Sequence, residues 1–175
     1  MPNYIRASIP GGSYFFTVAL LERRRRLLTD NIDALREAFR TVRTQRPFRI
    51  DAIVILPDHL HCLWTLQPND ADFSTRWRLI KSAFARAIAP GERLSIRREL
   101  KRERGIWQRR FWEHAIRNQS DFDAPFDDIH DNPVKHGWVR RAADWPHSSF
   151  RRFVRLGQYS WEWAAPIDIR AWDLE

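Results

Sequence analysis

His59-Leu60-His61 is the place in this chain where residue type and spacing most clearly suggest chemistry. On a β-strand, residues i and i+2 project from the same face. His59 and His61 would therefore present two imidazoles side by side, with Leu60, Cys62 and Trp64 pointing to the opposite, apolar face. Two adjacent imidazoles make half of a metal site. The motif alone is not specific, because surface or hydrogen-bonded histidines share this spacing. A third ligand is available downstream. Asp128 and Asn132 are four residues apart, so a helix would place them on one face, offset from the stripe of Phe122, Phe126 and Ile129. Two imidazole nitrogens with an amide or carboxylate oxygen suit Mg²⁺ or Mn²⁺ better than a structural zinc. His130 projects in another direction and reads as a partly exposed histidine.

The charge balance points to a polyanionic partner. Lysine and arginine number 30 against 22 acids, a net charge of +8. The basic residues are mostly arginine, whose fork suits phosphate and whose plane stacks on bases. Candidate phosphate contacts are Arg23, Arg24, Arg25 and Arg26, then Arg93, Arg97 and Arg98, then Arg109 and Arg110, and finally Arg151 and Arg152. The single cysteine, Cys62, excludes an internal disulfide and fits a reducing compartment. The start of the chain lacks the long apolar stretch of a signal peptide, and no apolar run reaches the length of a membrane span. A cytoplasmic location is expected.

Elements that would position the histidines can be read from periodicity. Ser13–Leu20 predicts a strand, and the spacing of Ile32, Leu35, Phe39 and Val42 predicts a helix capped by Asp30. Phe48–Leu56 and His59–Leu66 predict a hairpin turning at Pro57-Asp58. A helix with Phe73, Trp77, Ile80, Phe84 and Ile88 on one face follows Asp70–Asp72. Residues 91–105 are densely charged and read as a helical insertion or mobile loop, a candidate phosphate-contacting arm. Ile106–Trp112 reads as a strand, and the Phe122/Phe126/Ile129 helix should stop near Asn132, ahead of Pro133. The chain from about Trp138 is a Trp/Arg-rich extension with short elements. Residues 1–175 are expected to form one α+β domain, a mostly antiparallel sheet with helices packed on it.

The strings LPDHLHCLW, FWEHAIRN, DDIHDNPVKHGWV and DWPHSSFRRFV, in this order, resemble the REP-associated tyrosine transposases. These bacterial proteins are related to the insertion-sequence transposases that move as single strands, and they share the HUH single-tyrosine fold. The resemblance runs from about Tyr14 to Val154. It implies that His59 and His61 are metal ligands and that Asn132 takes the third ligand position, with Mg²⁺ or Mn²⁺ as cofactor. It also implies an endonuclease and strand-transfer activity in DNA transposition and recombination. The partner is then DNA, a repetitive extragenic palindromic hairpin with flanking single strand.

One departure matters. The family's nucleophilic tyrosine lies four residues before the third ligand, and here that position is Asp128. Through a 5′-phosphotyrosine the family conserves bond energy for rejoining. A carboxylate there would meet repulsion from DNA and give a labile acyl phosphate, so the chain is expected to bind but not cleave. Tyr4, Tyr14 and Tyr159 all lie far from that helix in sequence. Asp128 adding a carboxylate to the metal shell is an alternative role. The alternative function is a non-catalytic DNA- or RNA-hairpin-binding module. A monomer is expected, with a dimer as the other arrangement.

Overall fold

The computed structural model describes residues 6–165. Strands β1 (Ser13–Ala19), β2 (Phe48–Ile55), β3 (His59–Leu66) and β4 (Trp112–Ala115) form one antiparallel sheet in the order β2-β3-β1-β4. The hairpin closes over Pro57-Asp58, where the Leu56 N–H donates to the His59 carbonyl at 2.9 Å. β3 is internal, so its register is fixed on both sides. Ala19 stands opposite His59, Thr17 opposite His61 and Phe15 opposite Leu63. A slip of one residue would turn both histidines to the other face. In β2 a bulge at Asp51 lets Ile50 pair with Trp64 while Ala52 pairs with Leu63. The extra residue resets the alternation, so Ala52 and Val54 join Leu63 on one face.

Helices α2 (Ile32–Gln45) and α3 (Phe73–Ala87) cover the face carrying Phe16, Leu60, Cys62 and Trp64. Trp64 and Trp77 stack there with ring centroids 4.4 Å apart. α3 begins as its sequence suggests, with the Asp72 side chain accepting from the Thr75 N–H at 3.0 Å. α2 begins differently. Asp30 ends a separate short helix, α1 (Leu27–Asp30), and Asn31 occupies the cap position of α2. The Asn31 amide donates back to the Leu27 carbonyl, closing α1 instead of capping α2.

The opposite face carries Phe15, Val54, Leu63 and the two histidines. It is covered by α5 (Gln119–Lys135), which seats Ile129 against it. Two expectations need correction. The strand lies at Trp112–Ala115, not Ile106–Trp112. Ile106 and Trp107 are buried beside α3, where Trp107 makes only an isolated bridge to Leu20. α5 also runs past Asn132 to Lys135 with Pro125 and Pro133 inside it. Each proline removes only one donor, and the ladder resumes beyond Pro133 as the His136 N–H reaches the Asn132 carbonyl. A 3₁₀ turn (Ala142–Asp144) and α6 (Phe150–Arg155) then pack behind α5.

Residues 91–105 contain one short helix, α4 (Ile96–Leu100), with no buried residue. Arg104 ties this segment to the end of α3. It pairs with Glu92 at 2.5 Å and donates to the Ile88 and Ala89 carbonyls at 2.8 and 3.0 Å. Among the described residues no helix is long and apolar enough to cross a membrane.

Candidate functional site

His59 and His61 project from β3 toward α5 with ring centroids 5.0 Å apart. Both are buried. His59 Nδ1 lies 2.8 Å from Asp58 Oδ1, and His61 Nδ1 lies 2.9 Å from Thr17 Oγ1. An ionised carboxylate only accepts, so His59 carries its proton on Nδ1. The same tautomer at His61 donates to the Thr17 hydroxyl. In that state both Nε2 atoms present lone pairs, and both are buried without a hydrogen-bond partner. An outer partner on one ring nitrogen with the other left open is the arrangement found at metal-ligating histidines.

The surroundings of His61 favour its neutral form. Burial pulls the His61 pKa well below its ordinary value, and the charges of His59, His136, Lys135 and Arg23 act in the same direction. Burial of Asp58 raises its pKa. Hydrogen bonds from His59 and Arg23 outweigh that, and the carboxyl falls to about 2. Asp58 therefore stays ionised and holds the His59 ring.

α5, which covers the sheet face carrying the histidines, holds Asp128 and Asn132, and both are buried. The Asn132 amide donates to the Asp128 carboxylate. Its Oδ1 is buried with no hydrogen-bond partner, as are the two imidazole nitrogens. Lys135 Nζ lies 3.7 Å from Asp128 Oδ1. Burial raises the Asp128 pKa, Lys135 opposes it, Asp131 adds to it, and the carboxyl settles at about 6. Among the described residues no three His, Cys, Asp or Glu side chains group as a metal site. Asp128 therefore does not group with the two imidazoles in such a set.

Sequence reasoning missed four neighbours of the pair. Thr17 and Asp58 orient the imidazoles. Lys135 sits beside Asp128, and the His136 ring lies 5.3 Å from that of His59. Asp58 adjoins His59 in sequence and could have been found. Thr17 is visible only once the β1–β3 register is known.

His130 corrects an expectation. It is fully buried, not partly exposed. Its Nε2 lies 2.8 Å from Ser149 Oγ, and its Nδ1 lies 3.2 Å from the Tyr159 hydroxyl. Burial lowers its pKa to about 3. It points away from the His pair, as its helical offset implies. Tyr159, distant in sequence, folds back onto α5 and donates its hydroxyl to Asp127 at 2.5 Å, one residue from Asp128. Tyr14 is locked against Ile9. Tyr4 lies outside the described residues.

The arginines divide by location. Arg23 pairs with Asp58 and reaches within 3.3 Å of His59 Nδ1. Arg26 covers the Trp138 ring at 5.2 Å, while Arg24 is exposed and Arg25 half-buried. Arg93, Arg97 and Arg110 are exposed. Arg98 and Arg109 line a cavity beside α3. Arg151 donates to the Ala143 carbonyl and Arg152 to that of Asp51, at 2.9 and 2.8 Å.

Residues 12–123 match the family described as "Transposase IS200 like". A REP-associated tyrosine transposase of Escherichia coli K12 is 47% identical over 167 residues, covering 95% of this chain and 93% of that protein. A relative from Haemophilus influenzae, grouped under the same name, is 43% identical over 172 residues, 97% of each. A solved REP-associated tyrosine transposase bound to a REP hairpin superposes with a TM-score of 0.82 at 47% identity, over 95% of this chain and 93% of that one. The chain thus belongs to the IS200-like transposases and, within them, to the REP-associated tyrosine transposases. The family match ends at residue 123, ahead of Asp128 and Asn132.

Proposed function

We propose that this chain binds a REP-type DNA hairpin with its flanking single strand, on a transposase scaffold whose cleavage chemistry is lost at Asp128. The observation that carries this reading is the state of Asp128. Its buried carboxylate is hydrogen-bonded to Asn132 and faces Lys135 where the resemblance calls for a tyrosine. Support for the ligand comes from the 47% identical structure, which holds a REP hairpin, and from the net charge of +8.

His59 Nε2, His61 Nε2 and Asn132 Oδ1 are each buried and unpartnered, and together they would supply a donor set suited to a divalent cation such as Mg²⁺ or Mn²⁺. Bound there, such an ion would polarise a phosphate oxygen. The chain's own residues would orient the donors, Asp58 and Thr17 through the imidazole Nδ1 atoms and Asp128 through the Asn132 amide. Aspartate lacks the reach of tyrosine by about one aromatic ring, and near-attack placement needs reacting atoms roughly 3–3.5 Å apart. Its negative charge also repels the phosphate it would attack.

An RNA-reading open sheet is disfavoured, because helices cover both faces here. Fluorescence anisotropy with matched DNA and RNA hairpins tests the reading. Tighter binding of the DNA hairpin is expected. Equal or tighter binding of the RNA would overturn it.

A further inference from the structure

A cavity of about 520 Å³ lies on the sheet face opposite the His pair, between α3 and the segment leading into β4. That volume is in the range of small-ligand sites. α3 contributes Arg78 and Lys81, and Trp107 and Phe111 form an apolar wall. Three further arginines at the cavity already have acids: Arg6 pairs with Glu113, Arg104 with Glu92 and Arg109 with Glu103. Arg78 and Lys81 have no carboxylate partner among the described residues.

Lys81 is the unusual member. Its ammonium donates to the Gln108 carbonyl at 2.9 Å and lies 5.3 and 5.9 Å from the Phe111 and Trp107 rings. Burial, reinforced by the charge of Arg6, lowers its pKa to about 8. A half-buried cation among cations is costly to keep unless an anion joins it.

The cavity also adjoins the edge of the sheet, since β4 is the last strand in the order. Phe111 packs on the α3 side, while the next residue, Trp112, packs against Phe15 on the His-pair side and is 39% exposed. Trp112 stacks on His114 with centroids 5.9 Å apart. A strand leaving the cavity around this edge would meet aromatic rings on both sides, and aromatic platforms bind unpaired bases with little regard to sequence.

We infer that this cavity binds an unpaired nucleotide of the DNA strand flanking the hairpin, with its phosphodiester on Lys81 and Arg78 and its base against Trp107 and Phe111. The inference rests on the hairpin-binding reading above and adds a second contact region on the far side of the sheet.

Anisotropy titrations of the full chain with three labelled probes test it: a hairpin with a single-stranded flank, the same hairpin blunt, and the flank alone. The variants are Lys81→Met, which keeps the packed stem, and Arg78→Gln, at an exposed position. Circular dichroism and thermal midpoints confirm folding. Together the substitutions should weaken binding of the flanked hairpin and the isolated flank about tenfold, as expected for lost phosphate contacts, and leave the blunt hairpin within about twofold. If Lys81→Met does not fold, Arg78→Gln alone should give the same pattern at about threefold. Equal losses on flanked and blunt hairpins, or no loss on any probe, would overturn the inference. So would inorganic phosphate displacing the flank at the affinity of the flank itself. A wild-type chain that binds the flank but neither hairpin would instead sink the hairpin reading and leave the cavity assignment standing.

Discussion

Lys135 places its ammonium 3.7 Å from Asp128 Oδ1, two turns further along α5. The lysine compensates the buried carboxylate only in part, because burial still lifts the Asp128 pKa to about 6. The position where the resemblance calls for a tyrosine thus carries an acid that titrates near neutrality. It is held by the same helix that carries Asn132.

Asp128→Asn should stabilise the metal-free protein at pH 8. Ionisation of Asp128 is disfavoured in the folded state, since its pKa there is about 6 against an ordinary 3.8. Below that ordinary value both folded and unfolded chains are protonated and no penalty exists. It grows as pH rises and is complete above about 6. The variant should gain up to about 3 kcal/mol at pH 8 and nearly nothing at pH 3.5. Urea denaturation in EDTA at both pH values checks this. A gain that does not change with pH would contradict it.

Tyr159→Phe should destabilise the fold by about 1–2 kcal/mol by removing the hydroxyl between Asp127 and His130, both on α5. The urea midpoint should fall with an unchanged slope. An unaltered midpoint would mean that the C-terminal segment does not brace α5 through this hydroxyl.

Much of this arrangement is legible in the residues themselves. Strict alternation in HLHCLWTL places both histidines on one face and Leu60, Cys62 and Trp64 on the other, and the fold has them so. Asp72 reads as the opening of α3 and caps it. Failures come where local pattern and tertiary packing disagree. Ile106 and Trp107 are apolar and β-prone, yet they pack under α3 instead of extending the sheet. Pro133 signals a helix end, but it costs one hydrogen bond and α5 continues to Lys135. Nothing near His130 in sequence announces Ser149 or Tyr159, 19 and 29 residues away, so its burial is visible only in the fold.

Arg104→Ala should release residues 91–105 without unfolding the sheet. The arginine links Glu92 and three carbonyls at the end of α3, while α4 buries nothing. Limited proteolysis should cut this segment faster in the variant. The loss of global stability should stay within about 1–2 kcal/mol. Unchanged cleavage would show that other contacts hold the segment.

Hairpin affinity should fall steeply with salt, by about a thousandfold or more between 50 and 200 mM if at least six phosphates are neutralised. Arg23→Gln, beside Asp58 and His59, should reduce the slope of log Kd against log salt by about one. A salt-independent Kd would rule out phosphate contacts as the main driver.

The most direct measurement is a covalent-adduct assay with a labelled, flanked REP hairpin and Mn²⁺, resolved on a denaturing gel. The chain with Asp128 should bind the hairpin and form no adduct. Asp128→Tyr should produce a phosphotyrosine adduct that survives denaturation, and adding His59→Ala should abolish it. An adduct or metal-dependent cleavage by the unsubstituted chain would contradict the account, because the nucleophile would then lie elsewhere and Asp128 would not mark a lost reaction.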